Sequence, residues 1–193
     1  MTCRAGPSGG TIARMSFPQH RPRRLRRTPA LRALVREVEL SPRDFIAPLF
    51  VKEGIAEPTP IASMPGQHQH TLESLRKEVA EIAARGVTAF MLFGVPERKD
   101  PQGSEAWNPE GIGQRGLRAM REELGDEQVV MSDLCLDEYT DHGHCGVLDA
   151  EGHVDNDRTV ELYRKIALAQ AEAGAQMVGF RRPSSAGPPE VDP

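Results

Sequence analysis

Four short apolar runs recur along the chain about every forty residues, at 45–51, 87–93, 129–136 and 175–178, with a helical pattern between each pair. Each run is continuous rather than alternating, the pattern of strands buried on both faces. Between the first two, Thr71 caps a helix whose apolar positions are Leu72, Leu75, Val79 and Ile82, with Gly86 as its stop. A second helix spans 113–124 and carries Leu117, Met120 and Leu124 on one face. A third, capped by Asn156 or Asp157, turns Val160, Tyr163, Ile166 and Ala167 to the core and ends near Gly174. Strands bridged by helices imply a parallel sheet, either a (β/α)8 barrel or a doubly wound sheet. No G-x-G-x-x-G follows the first strand, which weighs against dinucleotide binding, and no organic cofactor is expected.

The charge balance removes other classes. Acidic residues outnumber basic ones by 28 to 24, so the chain lacks the basic footprint of a nucleic-acid-binding domain. No apolar run reaches the roughly 18 residues of a membrane span. The Arg-rich start has no apolar core of a secretory signal. A cytoplasmic protein is expected. The cysteines are Cys3, Cys135 and Cys145, an odd number that does not suggest a disulfide framework. The latter two are metal ligands or core thiols.

The chemistry concentrates in Asp133-Leu134-Cys135-Leu136-Asp137-Glu138-Tyr139-Thr140-Asp141-His142-Gly143-His144-Cys145-Gly146. This stretch lies at the C-terminal end of the third strand, where barrels keep their active sites. Strand alternation puts Asp133, Cys135 and Asp137 on one face, with Leu134 and Leu136 packed against helices. Cys145 can fold back from the loop to join them. Two thiolates and a carboxylate favour zinc over magnesium and leave a fourth position open. His142 and His144 can act as ligand, orienting group or proton carrier. The plainer alternative is a small buried thiol at Cys135 and ordinary loop histidines, because this spacing is not that of a zinc finger.

The stretch resembles the metal-switch region of the porphobilinogen synthase (5-aminolevulinate dehydratase) family. Zinc-dependent members read D-x-C-x-C-x-Y and then H-G-H-C-G, while magnesium-dependent members replace the cysteines, typically by Ala and Asp. This chain is a hybrid. Cys135 and Cys145 match two zinc cysteines, Asp137 stands where the second cysteine would be, Asp133 matches an active-site aspartate and His144 a histidine of the zinc loop. The resemblance extends in family order through Arg21-Pro22-Arg23-Arg24-Leu25-Arg26, Pro48-Leu49-Phe50-Val51, Met64-Pro65-Gly66, Phe93-Gly94-Val95-Pro96 with Lys99-Asp100, and Trp107-Asn108-Pro109-Glu110-Gly111.

The resemblance implies a (β/α)8 TIM barrel, here limited to about its first four strands. The expected organisation is an extension or mis-start over 1–20, with Met15 an alternative start, an N-terminal arm over 21–44 and a half barrel over 45–178. Within the arm, Leu31, Leu34 and Val35 share one helical face. The tail over 179–193 is rich in Pro, Gly and Ser, and a frameshift or premature stop after Val178 is expected. The implied activity is a lyase that condenses two 5-aminolevulinate molecules to porphobilinogen with loss of water, in tetrapyrrole (heme) biosynthesis. Zinc on Cys135, Asp137 and Cys145 is the implied metal, with magnesium the other one compatible with the hybrid. Members assemble as homo-oligomers, commonly octamers, through the arm. The family's two Schiff-base lysines lie late in the barrel, and none of Lys52, Lys77, Lys99 and Lys165 matches them. The chain alone is therefore expected to be inactive, poorly stable and prone to aggregate. The alternative is a non-catalytic fragment that binds metal or pairs with subunits.

Overall fold

The computed structural model describes residues 22–180, so the expected extension over 1–20 and the tail from 181 onward lie outside the described residues. The chain divides into two units, Met1–Leu40 and Ser41–Pro193. In the first, a 3-10 turn at Pro22–Arg26 precedes helix α1 (Pro29–Leu34). Thr28 caps α1 by accepting from the Leu31 amide at 3.1 Å, and Pro29 follows the cap with its backbone already set for a helix. Leu34 and Val35 are exposed.

The second unit starts at Ser41, earlier than the residue-45 boundary expected. Ser41 and Asp44 form a reciprocal capping box. Pro42 then packs its ring beside Gly86, at the end of the first long helix. The elements that follow are β1 (Ile46–Lys52), β2 (Thr59–Pro60), β3 (His68–His70), α2 (Leu72–Ala84), β4 (Ala89–Val95), α3 (Ile112–Leu124), β5 (Val129–Leu134), α4 (Asn156–Glu172) and β6 (Met177–Phe180).

The sheet order is β2-β3-β1-β4-β5-β6. Strands β1, β4, β5 and β6 are parallel neighbours in chain order, with Ile46 opposite Ala89, Ala89 opposite Val129 and Met131 opposite Met177. A doubly wound sheet reverses its strand order at a switch point. These four βα-linked strands do not reverse, so the winding is that of a barrel. The β2–β3 hairpin was not foreseen. Its residues are polar, and β3 lies parallel to β1 through Phe50 and Val51.

The core lies between sheet and helices. Leu49 and Val51 of β1, Phe90 and Leu92 of β4 and Val130 of β5 meet Leu75, Val79, Leu117 and Met120 of α2 and α3. Burial on both strand faces was expected, yet β4 alternates between fully and partly buried residues. The other face carries Phe50 and Phe93, stacked at 5.0 Å, with no second layer among the described residues. Phe90 is fully buried, so Phe90→Ala is expected to cost about 3–5 kcal/mol, read as a lowered urea midpoint.

Helix α4 and strand β6 also differ from expectation. Asp155, not Asn156 or Asp157, caps α4 by accepting from the Arg158 amide at 3.0 Å. The inward stripe of α4 is Thr159, Tyr163, Ile166 and Gln170, which leaves Val160 exposed. Strand β6 continues past Val178, with Gly179 opposite Asp133 and Phe180 opposite Leu134. Among the described residues, no helix is long and apolar enough to cross a membrane.

Candidate metal centre

Strand β5 ends at Leu134, two residues before the expected end, and the backbone then turns. The amides of Tyr139 and Thr140 both donate to the Leu136 carbonyl at 2.9 Å. Leu134 and Leu136 enter a second apolar cluster with Ala106, Tyr139, Tyr163 and Ile166, as alternation requires. Cys135 is buried, and Asp133 and Asp137 are partly buried. The loop then returns through Gly143, whose φ of 71° is open to glycine at little cost. Thr140 Oγ1 pins this return, within 3.1 Å of the Leu136 carbonyl and 3.0 Å of the His144 carbonyl.

The outcome is convergence. Ligand atoms of Cys135, Asp137 and Cys145 all lie within 4.8 Å of one another. Tetrahedral zinc, with bonds of about 2.3 Å to sulfur and about 2.0–2.2 Å to oxygen, needs donors roughly 3.5–3.8 Å apart, so the set needs only small adjustment to hold one ion. Its two sulfurs suit zinc better than magnesium. A second group, Asp133, Asp137 and Glu138, meets the same 4.8 Å limit and shares Asp137 with the first. The histidines stand outside both groups. His144 donates its amide to His142 Nδ1 at 3.2 Å, and His142 Nε2 lies 3.2 Å from the Pro101 carbonyl. Both ring nitrogens of His142 are thereby engaged, with Nε2 the protonated one.

Burial controls the electrostatics. It pushes the Cys135 thiol upward, and the side chains of Cys145 and Asp137 add to the shift. It also raises Glu138 to about 8, with the negative charge of Asp137 as the next cause. Burial and the neighbouring carboxylates thus make Glu138 hold its proton more tightly than an ordinary glutamate. Sequence reasoning missed Glu138, although it directly follows Asp137. It also missed the support from α4. Gln170 Nε2 donates to the Asp133 carbonyl at 2.7 Å, and the Tyr163 hydroxyl donates to the Cys145 carbonyl at 2.5 Å. At the C-terminal end of β1, Lys52 lines a cavity of about 160 Å³ with Glu53, Thr71, Ile112 and Arg115.

The match with known proteins covers both the fold and this loop. A family model described as delta-aminolevulinic acid dehydratase matches residues 19–186, past Val178. The chain is 58% identical to the delta-aminolevulinic acid dehydratase of Streptomyces coelicolor over 85% of its own length and 50% of that protein. It is 54% identical to the Mycobacterium tuberculosis protein of the same name, with the same coverage. Among solved structures, it resembles the Toxoplasma gondii delta-aminolevulinic acid dehydratase (porphobilinogen synthase) in complex with the reaction product porphobilinogen. The TM-score is 0.76 at 40% identity, over 83% of this chain and 46% of that one. The chain therefore spans about half the length of the curated relatives it matches, and its fold is the corresponding part of a (β/α)8 barrel. On these grounds the chain belongs to the delta-aminolevulinic acid dehydratase family.

Proposed function

We propose that this chain provides the metal-holding half of a porphobilinogen synthase, which condenses two 5-aminolevulinate molecules to porphobilinogen with loss of water. The observation that carries the reading is the convergence of Cys135, Asp137 and Cys145 beside Asp133 at the C-terminal end of β5. Zinc held by those three residues would supply Lewis-acid polarisation of a substrate oxygen. The rest of the chemistry falls to the chain's own groups. Asp133 orients the substrate amine. Glu138 stands beside Asp133 and Asp137, where its carboxyl can carry a proton for transfer within the site. Leu134 and Leu136 keep the outer side of the loop dry. No lysine of this chain is assigned to a Schiff base: Lys77 pairs with Glu73 at 2.7 Å, and Lys165 lies 5.8 Å over the Trp107 ring. The same reading makes the protein a cytoplasmic homo-oligomer that assembles through residues 21–44, where Leu34, Val38 and Leu40 are exposed.

A chimera tests the proposal. Residues 21–180 are joined to the part of the Streptomyces coelicolor relative that this chain does not cover. The folded chimera is expected to form pyrrole from 5-aminolevulinate, to lose that activity on chelation and to regain it with zinc. The 193-residue chain alone is expected to bind zinc and form no pyrrole. A chimera that folds and binds zinc yet leaves 5-aminolevulinate unchanged would sink the reading.

A further inference from the structure

We infer that Tyr163 is a positioning residue for the metal centre, and that its hydroxyl sets the separation of the Cys135 and Cys145 sulfurs. The inference rests on the zinc site proposed above. Cys145 arrives through a loop, ten residues after Cys135. Within the loop Thr140 pins the backbone at His144, and a further hold on Cys145 itself lets the two sulfurs meet without a large ordering cost at each binding event.

Helix α4 supplies the hold. The Tyr163 ring is buried among Ala106, Leu134, Leu136, Tyr139 and Ile166, and Phe180 of β6 meets it edge-on at 5.6 Å. This packing fixes the hydroxyl between the two cysteines. Its oxygen donates to the Cys145 carbonyl at 2.5 Å and lies 3.8 Å from Cys135 Sγ. One rigid group thus touches the backbone of one sulfur ligand and the side chain of the other. Phenylalanine would fill the same apolar space, so only the two contacts to the cysteines account for a buried hydroxyl here. Two further polar contacts hold α4 against the site. Gln170 reaches the Asp133 carbonyl, and Thr159 Oγ1 accepts from the Val147 amide at 3.1 Å just after Cys145. Tyr163 differs from both in touching the two sulfur ligands.

The test uses the 193-residue chain and cobalt(II), whose sulfur-to-metal charge-transfer band reports thiolate ligation. Wild type is expected to show that band, and zinc to displace the cobalt. Tyr163→Phe is expected to weaken cobalt and zinc binding about 10- to 100-fold, the usual cost of losing an outer partner, and to shift or weaken the band. Its apo melting temperature should stay close to wild type, because the ring still fills the core. Ile166→Val, on the same buried stripe, controls for loosening of α4 and should leave the band unchanged. A Tyr163→Phe spectrum and affinity equal to wild type would overturn the inference, as would an equal change in Ile166→Val. If wild type itself shows no thiolate band, the zinc reading falls and takes this inference with it.

Discussion

Cys135→Ala is expected to lower the zinc affinity of this chain by more than about 100-fold, beyond the 10- to 100-fold typical of an outer partner. The donor set is small: two sulfurs and one carboxylate, mutually within 4.8 Å. Removing one sulfur leaves a thiolate and a carboxylate, too few to hold the ion against water. The nearby histidines do not replace the lost ligand, because both ring nitrogens of His142 are engaged and neither histidine stands in the group. Competition with a chromophoric chelator measures the loss. Asp137→Cys is the converse variant. It softens the site and should raise zinc affinity while suppressing any response to magnesium. A Cys135→Ala chain with wild-type zinc affinity would show that the metal is held elsewhere.

Gly94→Ala is expected to destabilise the fold by about 3 kcal/mol, the upper end of ordinary overpacking, and to weaken metal binding with it. A Cβ at Gly94 would stand 2.5 Å from the Tyr139 hydroxyl oxygen and 2.9 Å from the Gly113 Cα. The second contact is backbone at the start of α3, which cannot swing aside. At this point β4, α3 and the metal loop meet with no room for a methyl group. Tyr139 lies two residues after Asp137, so a displaced ring moves the ligand loop as well. Urea unfolding and zinc titration of the same sample report both effects. Tyr139→Phe in the Gly94→Ala background should recover part of the stability, because it removes the oxygen and leaves only the backbone clash. Wild-type stability in Gly94→Ala would show that β4 and α3 separate more easily than this packing implies.

Much of this architecture was legible in local sequence. The four strands, helix α2 with its Thr71 cap and the outward placement of Leu134 and Leu136 follow from apolar period and capping chemistry within a few residues. The family and the candidate ligands Cys135, Asp137 and Cys145 were legible in one loop. The β2–β3 hairpin was not, because its pairing to β1 is a backbone matter that polar Thr59, His68 and Gln69 do not advertise. The end of β5 at Leu134 was equally hidden. Its residues continue the strand pattern, and only the turn closed on the Leu136 carbonyl stops it.

The sequence by itself determined the order of βα units and the donor chemistry at the end of β5. Both depend on residue type and short-range spacing. The tertiary structure alone decided which donors meet, that burial raises the proton affinity of Glu138, and that Tyr163, Thr159 and Gln170 of α4 face the loop after β5. Thr159 and Gln170 break the apolar stripe that marks a buried helix face. Their burial is offset by partners distant in sequence, the Val147 amide for Thr159 and the Asp133 carbonyl of β5 for the Gln170 amide nitrogen, and no local pattern encodes where those atoms lie.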